Sequence, residues 1–316
     1  MYRENILPKA AGIYITRNCN LRCGYCNVYK KNLAELDYDR WIQTFDVLES
    51  LGIQKLTILG GEPTTRADLP QLIYHLAHNT SFDFSVVSNG TANLKTLRSL
   101  VEAGMQKYSS SVDTINGDSL DPFTTLKSKK AMSNFRELRE MGVPHLTAYL
   151  VLSASSLPQV VEIAKALSEE QIGLYLLPYH YAQGGETFWE TRDIHKKEGF
   201  AFETSQIPQV RGVMEELIKM KHAGYLIENA EHYLRKIPDY IVDCNWHCPD
   251  TLNELRIDSD GSLMCCHDYV GTRTPEFNIF QLAEEKGLSE FLSQRWKDSR
   301  DCPGCFWPSQ FHNAIV

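Results

Sequence analysis

With 316 residues, the chain can hold one large domain and a small one without disulfide staples. A composition of 43% hydrophobic and 23% charged residues is that of an ordinary globular protein, and a net charge of −8 with no long Lys/Arg run argues against a nucleic-acid partner. No apolar run approaches the ~18 residues that span a bilayer and residues 1–11 lack a signal-peptide core, so no membrane partner is expected. The nine cysteines are expected in a reducing cytoplasm, where thiols bind metals rather than pair.

Ile13 and Ile15 alternate with Tyr14 as in a strand, which runs into Cys19-Asn20-Leu21-Arg22-Cys23-Gly24-Tyr25-Cys26. Three cysteines on one loop bring three thiolates within reach of one metal centre. No fourth Cys or His lies nearby to close a zinc site, which favours a cluster with one open position, while a partial zinc knuckle or a redox set stays open. Trp41, Ile42, Phe45, Val47, Leu48 and Leu51 predict a helix over 38–51, closed by Gly52.

A strand over 55–59 ends at Gly60-Gly61-Glu62-Pro63-Thr64, and a helix over 69–78 follows with Asp68 as its N-cap. The strand 82–88 ends at Ser88-Asn89-Gly90 and is followed by a helix over 94–103. The strand 107–111 ends at Ser109-Ser110-Ser111-Val112-Asp113. Lys127-Ser128-Lys129-Lys130 reads as a solvated loop entering a helix over 131–141. Next come a strand over 145–152, a helix over 158–167, a strand over 173–178 and a helix over 210–221.

Strands alternating with helices at this interval imply right-handed βαβ units and a parallel sheet. Six such units by residue 222 suit a partial (β/α)6 barrel in an α/β fold, the lengths not accommodating eight. Functional loops then lie at the carboxyl ends of the strands. Gly60, Gly61, Glu62, Asn89, Ser111, Asp113, Pro178 and His180 are there, where the bland alternative is an ordinary turn or, for His180, a structural role.

After residue 222 the pattern changes. A polar helix over 232–240 bridges to Cys244, Cys248, Cys265, Cys266, Cys302 and Cys305. Residues 255–257, an Asp-Gly turn at Asp260-Gly261 and residues 262–266 read as a hairpin. A cysteine before it, one at its end and a distant CxxC can converge on one cluster or on a zinc ribbon. The expected domains are 1–222, the partial barrel, and 223–316, a small hairpin and helix unit.

The cysteine loop, with Tyr25 before its last cysteine, and the GGE stretch after the next strand resemble the radical S-adenosylmethionine (SAM) superfamily, whose signature is CxxxCxΦC. The resemblance implies a [4Fe–4S] cluster on Cys19, Cys23 and Cys26 with an open iron that binds SAM, and Tyr25 beside it. It implies that Gly60, Gly61 and Glu62 meet the SAM amino group through backbone and carboxylate. Asn89 matches the end of the third strand in the family, Ser111 and Asp113 would serve SAM or substrate, the Pro178 backbone would support adenine, and His180 would face the substrate.

The carboxyl-terminal layout is similar to the twitch domain, the shorter relative of the SPASM domain. It implies one auxiliary [4Fe–4S] cluster on Cys248, Cys266, Cys302 and Cys305, leaving Cys244 and Cys265 as buried small hydrophobes or as candidate hydrogen-atom donors. The implied reaction is reductive cleavage of SAM to a 5′-deoxyadenosyl radical, which takes hydrogen from a small polar substrate such as a sugar, aminocyclitol or natural-product intermediate, ending in oxidation or epimerisation. An external one-electron donor of flavodoxin or ferredoxin type would feed it. Maturation of a ribosomally made peptide is the alternative enzyme; an iron–sulfur electron carrier or zinc-stabilised binding module is the alternative outside enzymes.

Overall fold

Seven parallel strands hydrogen-bond in the order β6-β5-β4-β3-β2-β1-β7 and curl into a half-barrel. In the computed structural model the described residues are 8–23, 26, 28–30, 33–115, 122–179, 199–242, 254–264, 277–284, 286–300 and 306. The elements, in chain order, are β1 (Ala10–Tyr14), α1 (Tyr38–Ser50), β2 (Lys55–Leu59), α2 (Leu69–Asn79), β3 (Asp83–Ser88), α3 (Leu94–Glu102), β4 (Lys107–Ser111) and α4 (Pro122–Glu140). They continue with β5 (His145–Leu152), α5 (Val160–Glu169), β6 (Gly173–Pro178), α6 (Ile207–His222), α7 (Glu231–Tyr240), β7 (Glu254–Ile257) and α8 (Gly287–Arg300). Among the described residues no helix is long and apolar enough to cross a membrane.

The alternation along each strand separates two environments, because successive side chains point to opposite faces. On β5, Leu146, Ala148, Leu150 and Leu152 are buried while Thr147, Tyr149 and Val151 are only half-buried. The buried set joins Phe45, Leu72, Leu97, Phe135 and Ile163 of the helices in one apolar core on the convex side. The half-buried set faces the concave lumen. Helix starts follow local chemistry: Asp37 accepts from the Arg40 N–H at 2.9 Å and Asn93 from the Thr96 N–H at 2.9 Å.

Four expectations are corrected. The hairpin expected in the second unit does form, with Asp258 N–H donating to Ser262 O at 2.8 Å and Gly261 in the left-handed region at φ +84°. Its first strand is nevertheless β7, paired in parallel with β1 from Ala10↔Glu254 to Ile13↔Ile257, so the sheet has seven strands rather than six. The physical reason is the open backbone edge of β1, whose donors and acceptors must be satisfied. Asp68 does not cap α2; its carboxylate takes the Arg66 guanidinium, at 2.6 and 2.8 Å.

Helix α4 begins nine residues before the expected start, and Lys127 is not in a solvated loop. It is 2% exposed and its Nζ lies 2.8 Å from Asp113 Oδ2. A carboxylate buried at the end of β4 needs a counter-charge, and this helix brings it. The β6 edge is covered by residues past 222: Leu174 bridges Ile227, and the Asn229 amide accepts from Leu176 N–H at 2.7 Å and donates to Leu176 O at 3.0 Å.

The two ends of the chain are locked by a second buried ion pair. Arg17, just past β1, donates from Nε to Asp258 Oδ1 at 2.6 Å and from Nη2 to Asp258 Oδ2, and Leu36 N–H donates to Ser259 O at 2.7 Å. Removing one partner of such a pair leaves an uncompensated buried charge. Asp258→Ala is therefore expected to lower stability by about 3–5 kcal/mol, read from urea denaturation midpoints at constant m-value.

Candidate functional site

The site grows out of the ends of β1, β2 and β3. Beyond the two strands the backbones of 15–18 and 59–62 stay paired: Ile15 N–H donates to Leu59 O at 2.9 Å, Gly61 N–H to Thr16 O at 2.9 Å, and Glu62 N–H to Asn18 O at 2.7 Å. A Cβ on Gly61 would lie 2.3 Å from Asn18 O and 2.6 Å from Arg17 O, and one on Gly60 2.8 Å from Thr16 O. The two glycines are thus demanded by the approach of the GGE loop to the backbone that leads into Cys19.

Glu62 is fully buried. Its Oε1 accepts from Thr64 N–H at 3.2 Å, Thr64 Oγ1 at 2.6 Å and Ser88 Oγ at 2.8 Å, and its Oε2 accepts from Asn89 N–H at 2.6 Å. The carboxylate is thus bonded to its own loop and to the end of β3. The loop offers its backbone outward. Burial raises the Glu62 pKa above the ordinary carboxylate value, against the pull of the Asn89, Thr64 and Ser88 bonds.

Asn89 carries the link onward, its Nδ2 lying 2.8 Å from Asn20 Oδ1 and 3.8 Å from Cys19 Sγ. Leu21 N–H also donates to Cys19 Sγ, at 3.4 Å. Arg22 donates to the carbonyls of Cys19 and Leu21 at 2.6 and 2.8 Å and stacks over the Tyr29 ring. Cys26 N–H closes a turn onto Cys23 O at 3.1 Å.

Cys26 packs against the cluster of Tyr14, Val28 and Met264, and both Cys23 and Cys26 pack against Tyr179 just past β6. Burial pushes the Cys26 thiol up to about 11, while the Val28 N–H and the Lys127 ammonium pull the other way. Burial also raises Cys19, offset by its Leu21 and Asn89 donors. Among the described residues no group of three Cys, His, Asp or Glu side chains is gathered as a metal site. The donor chemistry nonetheless fits an iron–sulfur cluster: three soft thiols on one loop, one of them facing two N–H donors.

The end of β4 is different. Asp113 is 8% exposed; its Oδ1 accepts from Val151 N–H at 2.8 Å, its Oδ2 pairs with Lys127, and its N–H donates to Ser128 Oγ at 3.1 Å. Asp113 therefore braces β4, β5 and α4, with both carboxylate oxygens engaged. Ser111 is half-buried at the same strand end and Pro178 is buried at the end of β6. Tyr25, His180, Cys244, Cys248, Cys265, Cys266, Cys302 and Cys305 lie outside the described residues.

Three contributors escaped the sequence reading. Lys127 was hidden in an ordinary basic run, Asn20 between two ligand candidates, and Asn134 in mid-helix, where its Nδ2 donates to Gly90 O at 2.8 Å and Ala92 O at 3.0 Å. A polar side chain on the apolar stripe of α4 was the only available signal for Asn134.

The radical SAM superfamily model matches residues 13–167, from β1 through α5, a stretch that contains the cysteine loop, the GGE turn and Asn89. Residues 13–167 are a radical SAM domain. Radical SAM enzymes use a [4Fe–4S] cluster and SAM, and this chain is one of them.

A GTP 3′,8-cyclase of Listeria welshimeri is 22% identical over 268 residues, 80% of this chain and 78% of that protein. A PqqA peptide cyclase of Rhodopseudomonas palustris is 28% identical over 184 residues, 55% of this chain and 48% of that one. Among solved structures, Streptococcus suis SuiB bound to SAM has a TM-score of 0.70 at 14% identity, covering 94% of this chain and 68% of SuiB. SuiB bound to its precursor peptide SuiA has a TM-score of 0.69 at 15% identity, over 92% and 68%.

Two outcomes follow from this geometry. Gly61→Ala forces a methyl onto two backbone carbonyls and is expected to cost about 1–3 kcal/mol and to reduce iron retained per chain after reconstitution. For Glu62, a folded pKa above the unfolded one means the folded protein holds the proton more tightly. Its stabilising contribution is full below the unfolded value and is lost as pH rises through the folded value. The stability of metal-free wild type relative to Glu62→Gln is therefore expected to fall as pH is raised through the carboxylate range, measured by paired denaturation series.

Proposed function

We propose that this radical SAM enzyme forms a crosslink within a ribosomally made peptide. In this reading Cys19, Cys23 and Cys26 hold the [4Fe–4S] cluster, and the Gly60 and Gly61 backbone, Asn89, Ser111 and Pro178 line the SAM position. The observation that carries the substrate class is the likeness of fold to SuiB, a structure of which holds the precursor peptide SuiA. The match to a PqqA peptide cyclase supports it. These relatives move the finer reading from oxidation or epimerisation of a sugar-like molecule to the peptide alternative.

When bound, the cluster and SAM supply a one-electron cleavage that makes an oxidant able to take hydrogen from an unactivated C–H bond. The chain's own residues position and shield. The Asp113–Lys127 pair braces the lumen wall at β4 and β5. Below it, the Tyr149 and Tyr175 rings lie 5.5 Å apart, tilted by 43°, on the concave face. Burial raises both phenol pKa values, so they stay neutral and offer aromatic surface and O–H groups to an uncharged stretch of substrate.

The auxiliary cluster on Cys248, Cys266, Cys302 and Cys305 and the external flavodoxin- or ferredoxin-type donor belong to this proposal. Cys244 and Cys265, as hydrogen-atom donors, and His180 would matter in an epimerising variant of it. A second reading, a small polar substrate of nucleotide type, has one observation in its favour: the GTP 3′,8-cyclase match covers 80% of this chain, against 55% for the peptide cyclase.

The deciding assay uses the anaerobically reconstituted full chain with SAM and reductant, offered precursor peptides encoded beside its gene in one arm and GTP in the other. The expected result is a peptide lighter by two hydrogens, one 5′-deoxyadenosine per crosslink, and loss of both in Cys23→Ala. A peptide of unchanged mass in H2O that gains one carbon-bound deuterium when the reaction is run in D2O would mean epimerisation. Turnover of GTP with every peptide untouched would overturn the peptide reading.

A further inference from the structure

We infer that the side-chain amide of Asn89 donates a hydrogen bond to the Cys19 thiolate and thereby raises the reduction potential of the cluster. The inference rests on Cys19 as a cluster ligand and is independent of the substrate. Asn89 Nδ2 is 3.8 Å from Cys19 Sγ, within reach of a sulfur acceptor, and it also donates to Asn20 Oδ1 at 2.8 Å.

The amide cannot turn round. Asn89 Oδ1 accepts from Thr91 N–H at 3.0 Å and from Thr91 Oγ1 at 2.6 Å, so a flip would set the NH2 group against two donors. Asn20 Nδ2 donates to Thr91 Oγ1 at 2.8 Å and closes the ring of bonds. The Asn89 backbone is fixed from behind by Glu62 Oε2, and Gly90 follows at φ +81°, where a Cβ would lie 2.6 Å from Ala131 Cβ and Ser110 Oγ. The donor is held in place from three sides.

An N–H aimed at a cluster sulfur draws charge from it and favours the reduced, more negative state. Leu21 N–H supplies a second donor to the same sulfur through the backbone. Asn89 is the donor that mutation can remove. Asparagine suits the position because one end of the amide is locked by Thr91 while the other is free to donate; aspartate would turn an acceptor and a charge toward the thiolate.

The test is a redox titration of the reconstituted full chain followed by electron paramagnetic resonance. At a fixed potential Asn89→Leu is expected to lower the reduced-to-oxidised ratio about tenfold, a shift of about 59 mV to the negative for one electron. Asn89→Asp is expected to shift it further, and Thr91→Val, which frees the amide, in the same direction by less. In wild type carrying 15N-asparagine, the reduced cluster is expected to show a nitrogen coupling that Asn89→Leu abolishes; this decides the matter should the variants lose iron. Unchanged potentials in both Asn89 variants, or no coupling in wild type, overturn the inference. A wild type that assembles no [4Fe–4S] centre would overturn the cluster assignment, and the inference with it.

Discussion

The buried carboxylate of Glu62 is the constraint on which the site depends. It has no solvent to stabilise its charge, so it must gather donors, and the donors come from its own loop and from the end of β3. Meanwhile the Glu62 N–H holds Asn18 O, one residue before Cys19. One side chain and its own amide thus fix the ends of three neighbouring strands relative to one another. The paired glycines before it leave room for that approach.

Around this knot, two buried ion pairs fix the surroundings. Asp113 with Lys127 stiffens the wall at β4 and β5, and Arg17 with Asp258 joins the start of the cysteine loop to the turn of the C-terminal hairpin. Buried pairs of this kind add little net stability compared with apolar packing, but they are intolerant of losing one member. Their value here is registration: a loop of polar residues at the mouth of a half-barrel has little apolar surface with which to define its position.

Much of this was legible in the chain. The strands over 55–59, 107–111, 145–152 and 173–178 run between the expected ends, those at 55–59 and 145–152 on β-branched or alternating patterns, and the cysteine spacing and GGE turn announced the strand-end site. What stayed hidden depends on distance in sequence. Nothing near Arg17 points to Asp258, 241 positions away, and nothing in residues 254–257 says whether they pair with their own hairpin alone or also with β1. The direction of the Glu62 carboxylate was equally closed to the sequence, since a motif gives residue types and not which way they turn. Lys127 illustrates the same limit from the other side, a lysine among lysines whose burial is decided by a carboxylate on the preceding strand.

The coverage of the sheet margins has a bearing on how a chain-like molecule could approach. On the β6 side the Asn229 side chain imitates a neighbouring strand along Leu176, and on the β7 side Met264 N–H donates to Arg256 O at 2.8 Å. At Leu174, Leu176 and Arg256, then, the outer backbone groups are already engaged. Under the proposed peptide reading, a substrate strand would find no pairing partner at those three positions, and its side chains would carry more of its recognition.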